Sequence, residues 1–323
     1  MKTNPTSTSL SRRSLLLAAG GFAALASPGK TRGAARSDSG IKHSFLALGQ
    51  RTYIQSEDGE TVWEWPENTR DGWVLPSAHI LLVISRVKDK HGGRVLELTR
   101  EGEVVFSYNG TQDEINTAQP LPGGGILLTE AGQHPRIVEI GEIGRSENGR
   151  SGKIRFELPL DCQREDTHLQ SRMTRKLPNG NYLVPLMGEM EVREYTPQGK
   201  VVWKAKTPHW PFTAIRVPGG NSLVTATRGN RVLEFDSGGK VAWELSNDDL
   251  PGEPLRDPCG AQRLPNGNTV ITSYGAKANQ IKLTEVTRDK KVVWSYSDEH
   301  DHGIHHFQIL TTNGKKIEGT PLK

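Results

Sequence analysis

The sequence predicts an all-β fold, a six-bladed β-propeller whose closing blade is shared between N- and C-terminal strands, and three observations carry that prediction. A tight turn recurs six times, as Leu75-Pro76-Ser77-Ala78, Leu121-Pro122-Gly123-Gly124, Leu177-Pro178-Asn179-Gly180, Val217-Pro218-Gly219-Gly220, Leu264-Pro265-Asn266-Gly267 and, degraded, Leu310-Thr311-Thr312-Asn313-Gly314. A polar turn followed by two mostly β-branched residues and an aromatic also recurs six times, ending at Trp63, Phe106, Phe156, Trp203, Trp243 and Trp294. The third observation is the order at the ends. The first aromatic-ended strand has no proline turn before it, and the last turn-bearing strand has no aromatic-ended strand after it. Each end lacks what the other supplies, so the closing blade takes its innermost strand from residues 304–310 and its outer three from residues 45–65, which removes a free sheet edge.

The stretch 177–204 shows why each unit is a sheet. Pro178 presets φ at the first central turn position and Gly180 supplies the positive φ, so one strand ends at Leu177. A second begins at Tyr182, a third carries Val192 to Tyr195 in apolar-polar alternation, and Pro197-Gln198-Gly199-Lys200 turns into a fourth, Val201-Val202-Trp203-Lys204. Four short antiparallel strands in roughly 35 residues make a propeller blade. Successive copies lie 40 to 56 residues apart, within or just above the blade range and too long for leucine-rich or ankyrin repeats. The aromatic closing each fourth strand is large enough to fill the gap between neighbouring blades, so Trp63, Phe106, Phe156, Trp203, Trp243 and Trp294 are read as blade-packing residues.

Residues 1–26 read as an export signal. Arg12 and Arg13 precede an apolar run, residues 15–25, and Ala24-Leu25-Ala26 offers a small-x-small cleavage pattern. That run is about half of the ~20 residues a spanning helix needs. Residues 27–43 read as a linker and 44–323 as one propeller domain. Lys2, Arg12 and Arg13 are the only charges of the signal, so the formal net charge of +4 falls to +1 once it is removed. With no stripe of Lys and Arg interleaved with aromatics, nucleic acid is excluded as a partner, and no other apolar run is long enough for a membrane span in the mature chain. Cys162 and Cys259 stand about two blades apart and are expected to remain thiols, because a disulfide needs Cα atoms within about 7 Å.

The run Asp236-Ser237-Gly238-Gly239-Lys240-Val241-Ala242-Trp243, with its relatives ending at Trp203 and Trp63, resembles the repeats of quinoprotein alcohol dehydrogenase-like propellers, and the Leu-Pro-Asn-Gly-Asn turns are similar to those of exported pyrroloquinoline-quinone (PQQ)-binding-like proteins. The arylsulfotransferase propellers are a weaker likeness. The resemblance covers residues 45–310 and rests on turns and packing aromatics. It implies the architecture and, as an alternative function, a PQQ- and calcium-dependent oxidoreductase or arylsulfotransferase-like group transfer. The chain departs from those enzymes: it has six blades rather than eight, no adjacent cysteines, and neither the His-x-Asn nor the Ser-Ser-Arg-His-type segment.

Candidate site residues come from the inner strands and the loops that lead into them. Two positions before each turn residue stand Trp73, Gln119, Arg175, Ile215, Gln262 and Gln308; four positions before stand Asp71, Thr117, Met173, Thr213, Gly260 and His306. The opposite face holds Lys176, Arg216 and Arg263, and alternation alone allows either face to line the channel. Lengthened lead-ins at 161–170, 247–258 and 298–306 gather at one mouth and bring His168, Cys259, His302 and His305, with Arg172 close behind. His300, His302, His305 and His306 match no closed metal template, and Asp298, Glu299 and Asp301 favour their protonated forms, so no metal is expected. No cofactor is expected on the residues alone. The expected function is a non-catalytic exported propeller, periplasmic or extracellular, that binds a small polar ligand, glycan or protein at this mouth through His168, Arg172, Arg175, Gln262, His302, His305, His306 and Trp73. Substituting His168 or Arg172 is expected to change stability by no more than about 1 kcal/mol, as for residues outside a packed core.

Export through paired arginines makes a direct prediction. Arg12→Lys combined with Arg13→Lys should leave a longer, uncut form inside the cell, detected by fractionation and intact mass; normal export of the double variant would refute the twin-arginine assignment.

Overall fold

The computed structural model describes residues 33–86, 92–141, 144–146, 149–163 and 165–323; residues 1–26, read as a signal, lie outside them. Six sheets form the ring. Blade 1 is built from Ile304–Thr312, His43–Gly49, Thr52–Gln55 and Thr61–Trp65, so its innermost strand does come from the far end of the chain. Blade 2 is Gly72–Val74, Ile80–Ile84, Arg94–Leu98 and Val104–Asn109, and blade 3 is Glu114–Pro120, Ile126–Ala131, Arg136–Ile140 and Ile154–Pro159. Blade 4 is Arg175–Lys176, Tyr182–Leu186, Glu191–Tyr195 and Val201–Lys206, followed by blade 5 at Pro211–Arg216, Ser222–Ala226, Arg231–Phe235 and Val241–Ser246. Blade 6 is Ala261–Arg263, Thr269–Thr272, Ile281–Val286 and Val292–Ser297. No helix among the described residues is long and apolar enough to cross a membrane.

In blades 2 to 6 the recurring turn closes the first hairpin, while its degraded copy in blade 1 leads from Ile304–Thr312 into Lys315–Lys316. Leu177 N donates to Asn181 O at 2.7 Å and Gly180 N to Leu177 O at 2.9 Å, with Gly180 at φ 87°. The copy in blade 2 places Ala78 at φ 68°, a left-handed conformation that a Cβ disfavours. The second signature is a bulged hairpin. In every blade the register slips by one residue opposite the run that ends in the aromatic, as where Glu194 pairs Trp203 but Tyr195 pairs Val201. A bulge adds right-handed twist, which is what a blade needs to turn its outer strand away from the axis.

That register sets a row the sequence signatures had not included. In blades 2 to 6 the residue paired with the aromatic is glutamate: Glu97, Glu139, Glu194, Glu234 and Glu285. Four of these take a basic residue from the next blade. Lys176 Nζ reaches Glu139 at 2.5 Å, Arg216 Nη2 reaches Glu194 at 2.7 Å, Arg263 pairs with Glu234, and His43 Nε2 lies 2.8 Å from Glu285. Lys176, Arg216 and Arg263 therefore face the seams between blades.

Six apolar clusters occupy the six seams, including Phe45, Trp294 and Phe307 between blades 6 and 1, and Leu46, Leu82 and Leu96 between blades 1 and 2. Phe106 and Trp294 are buried; Trp63, Phe156, Trp203 and Trp243 pack against their seams half-buried. Trp203 Nε1 donates to Asp236 O at 3.2 Å and Trp243 Nε1 to Arg288 O at 3.0 Å, each reaching the outer turn of the next blade.

Two stretches read as loop or linker carry strand. Ala34–Arg36, within the segment read as a linker, pairs antiparallel with the outer strand of blade 6. Within 142–152, Gly144–Ser146 and Gly149–Ser151 form a hairpin that bridges to Phe106 on the outer strand of blade 2. An outer sheet edge offers unpaired backbone groups to any extended segment near it, whatever its side chains. Cys162 and Cys259 remain thiols, both buried.

Closure by the far strand gives the second prediction. A chain ending before Ile304 would bare the inner edge of blade 1 and take Ile304, Phe307 and Ile309 out of the seam between blades 6 and 1, and should aggregate or melt at a much lower temperature; a monomer with unchanged melting would contradict the ring.

Candidate functional site

Near the axis the inner strands are stitched to one another. Val74 N donates to Gln308 Oε1, Lys176 N to Gln119 Oε1 and Ile309 N to Gln262 Oε1, all at 2.7–2.8 Å, while Trp73 Nε1 donates to Ala118 O at 2.6 Å. A side-chain amide here stands in for a neighbouring strand. Gln262, expected at a ligand, is instead such a stitch between blades 6 and 1.

Five residues before each turn residue, every blade contributes one side chain to the throat: Arg70, Asn116, Arg172, Phe212, Cys259 and His305. The inner-strand register skips Asn116 and His305, and it shifts beside Phe212. Such bulges leave a residue unpaired and re-aim it, so simple alternation fails at this level. The Arg172 guanidinium lies over Phe212 at 5.9 Å, and His305 stands edge-on between Phe212 and Tyr274, 4.6 Å from each. Glu114 joins the group, 2.7 Å from Arg86, 3.6 Å from His168 and 3.7 Å from Arg172.

Arg172 is 0% exposed, which corrects the expectation that it lies outside the packed core. Burial, and then Arg70, bring it down to about 9, still charged at neutral pH. Burial opposes the charge of Glu114, yet the His168 contact and then Arg70, Arg172 and Arg86 hold it at about 2. His305 is held well below its ordinary value by burial and then by Arg70 and Arg172, so its imidazole is neutral. Burial pushes the Cys259 thiol up. Arg172 Nε and Nη2, Arg70 Nη1, His305 Nδ1 and Asn116 Nδ2 are buried and have no hydrogen-bond partner among the described residues.

Below the throat, Lys323 closes the channel. It is 1% exposed; its Nζ donates to Gly72 O at 2.8 Å and Asp71 Oδ1 at 3.2 Å and lies 4.0 Å from the Trp73 ring centre. Arg175 donates from Nε to Lys323 O at 2.6 Å and from Nη1 to Asp71 Oδ2 at 3.0 Å, and Arg263 N holds Leu322 O at 2.9 Å. His306 Nδ1 is 3.5 Å from the same Nζ.

The candidate residues thus separate. His168, Arg172 and His305 meet at the throat, and His168 is its exposed member, with half its side chain in solvent. Trp73, Arg175 and His306 surround Lys323. His302 joins neither group: Nε2 lies 3.0 Å from Asp298, and the ring stands edge-on to Tyr53 at 5.7 Å, in the seam between blades 6 and 1. Among the described residues no three His, Cys, Asp or Glu side chains are placed to hold a metal ion.

No family model and no curated protein sequence matches the chain. Among solved structures, a protein of unknown function from Bacteroides caccae superposes with a TM-score of 0.72 at 23% identity, covering 82% of this chain and 98% of that one. A catalytically inactive virginiamycin B lyase from Staphylococcus aureus with quinupristin gives 0.55 at 14%, covering 87% and 96%, and a protein from Lactobacillus plantarum gives 0.55 at 8%, covering 84% and 100%. At these identities the likeness is one of fold alone.

The channel lysine generates a pH prediction. Asp71 faces two cations: burial opposes its charge, but Arg175 and then Lys323 hold it well below the usual carboxylate range. Burial, opposed by Asp71 and reinforced by Arg175, brings the Lys323 amine down to about 7. An unfolded lysine keeps its proton to about pH 10.4. Between those limits the unfolded chain binds the extra proton, so the stability difference in favour of the fold rises with pH from about 7 to about 10 and is level above. Denaturant unfolding should show the wild type gaining on Lys323→Met across that window, by at most ~1.4 kcal/mol per pH unit; parallel curves would mean that the amine stays charged in the channel.

Proposed function

We propose that the protein is an exported, non-catalytic propeller that binds a small anionic ligand in its throat. The observation that carries this reading is the surplus of buried donors over acceptors there. Arg172 Nε and Nη2, Arg70 Nη1 and Asn116 Nδ2 stand against one unbonded carboxylate oxygen, Glu114 Oε2. A buried donor without a partner costs about 1–3 kcal/mol, more when charged, and an anion would offset that cost. Export rests on the sequence of residues 1–26.

Three titratable groups of the throat are poorly matched to proton transfer near neutral pH. Glu114 is held at about 2, His305 stays neutral and the Cys259 thiol is pushed up. General acid-base work needs a group that titrates near the working pH. A quinone used with calcium needs six to eight oxygen ligands around the cation. Among the described residues the throat supplies one carboxylate, already engaged by Arg86, so those residues do not fit that pair.

Calorimetric titration with formate, sulfate and phosphate in a buffer of weakly binding ions tests the reading. Binding of at least one of them is expected, with loss in Arg172→Met. That variant should melt no lower than the wild type, since it replaces a half-paired buried charge by an apolar side chain of similar length. Unchanged binding in Arg172→Met would move the anion site elsewhere.

A further inference from the structure

Arg172 keeps one particular edge of its guanidinium free. Nη1 donates to Ser171 O at 3.1 Å and is the nitrogen nearest Glu114, whereas Nε and Nη2 are both buried without a partner. Those two are the nitrogens whose N–H bonds run side by side, the fork that matches the two oxygens of a planar carboxylate. A carboxylate meets both at once, one oxygen to each N–H.

The wall beside that fork is apolar. Met173, Met187, Phe212 and Cys259 form a buried cluster of their own, with Leu169, Trp210 and Tyr274 packed against it. It is the one hydrophobic cluster among the described residues that belongs to no seam between blades. Charged donors and a thioether-aromatic wall in the same throat suit a molecule with an acid at one end and an apolar body behind it.

On the reading of the throat as an anion site, we infer that its ligand is a monocarboxylate with an apolar body, the carboxylate seated in the Nε/Nη2 fork of Arg172 and the body against Met187, Phe212, Trp210 and Tyr274. Arg70 Nη1 supplies a further donor to the acid group. Leu169 of the Thr167–Leu169 turn packs against the same cluster. That turn is held on blade 4 by Gly188 N to Leu169 O at 2.7 Å and, just beyond it, by Met187 N to Gln170 O at 3.3 Å.

Calorimetry with phenylacetate, its neutral counterpart phenylacetamide, acetate and inorganic sulfate tests this on the full chain, with tryptophan fluorescence as a second readout at Trp210. Phenylacetate should bind at least about tenfold more tightly than the other three, a difference of ~1.4 kcal/mol. Arg172→Lys, which keeps a charge but not the fork, should lose about tenfold or more for phenylacetate. Met187→Ala, with Arg172 intact, should weaken phenylacetate and leave acetate unchanged, which keeps the test decisive if the lysine variant fails to fold. Sulfate binding as tightly as phenylacetate, or equal binding of phenylacetate and acetate, would overturn the inferred ligand class while leaving an anion site in place. Absence of binding by every anion would overturn the anion site itself.

Discussion

The ring depends on one contact repeated at four of its six seams, the glutamate of a third strand meeting a basic side chain from the next blade. Glu139, Glu194, Glu234 and Glu285 are each held this way, and each is paired across its own hairpin with a large aromatic. Arg216 shows how the pieces combine: it bonds Glu194 and lies over the Trp203 ring at 5.4 Å. Removing one partner of such a pair leaves a charge buried beside apolar surface, which costs more than the pair contributes. The contact therefore acts less as adhesive than as a key, allowing only the correct angle and register between neighbouring sheets.

With the seams keyed, the axis is free to hold charges that do not help the fold. Asp71 is matched by more positive charge than it can neutralise, and Lys323 is the member that gives way. A few ångströms of chain higher, Arg70 and Arg172 press on each other across a throat where Glu114 is the nearest carboxylate. The two levels differ in how complete they are. Around Lys323 the donors find Gly72, Asp71 and Thr117, with Arg175 Nη2 left over, whereas in the throat both nitrogens of the Arg172 fork find nothing. A protein tolerates such an arrangement where something outside the chain completes it.

Architecture was legible because its determinants are local. The proline turns and the terminal aromatics lie within a few residues of one another, and the missing halves at the two ends point to one shared blade. The glutamate row was equally readable, at one place in five of the six repeats, but attention to hydrophobic punctuation passed over it. The throat was half legible. His168, Cys259, Arg172 and His305 were picked out from residue type and loop length, while Arg70, Asn116 and Phe212 complete the same count from the turn. Alternation hid them, since the bulges at Asn116 and His305 depend on neighbouring strands and leave no mark on single residues. Gln262 and His302 were misplaced for the opposite reason: polar groups facing a seam look no different in sequence from polar groups facing water. Lys323 was invisible, as its partner Asp71 is 252 residues away and nothing in the repeats foretells the meeting.

Blade 1 also sets a clock. His43 opens its first-made strand, and the hydroxyl of Thr312, 269 residues later, lies 2.9 Å from the His43 ring in the finished sheet. At roughly 5–20 residues per second of synthesis, the three early strands wait on the order of 15–50 s for the fourth. Through that interval Leu46 and Phe45 have a neighbour on at most one side, and the inner edge of their sheet is bare. Vectorial synthesis thus makes the oldest blade the last to be completed, and whatever restrains aggregation of the nascent chain must act there for longer than anywhere else in the ring.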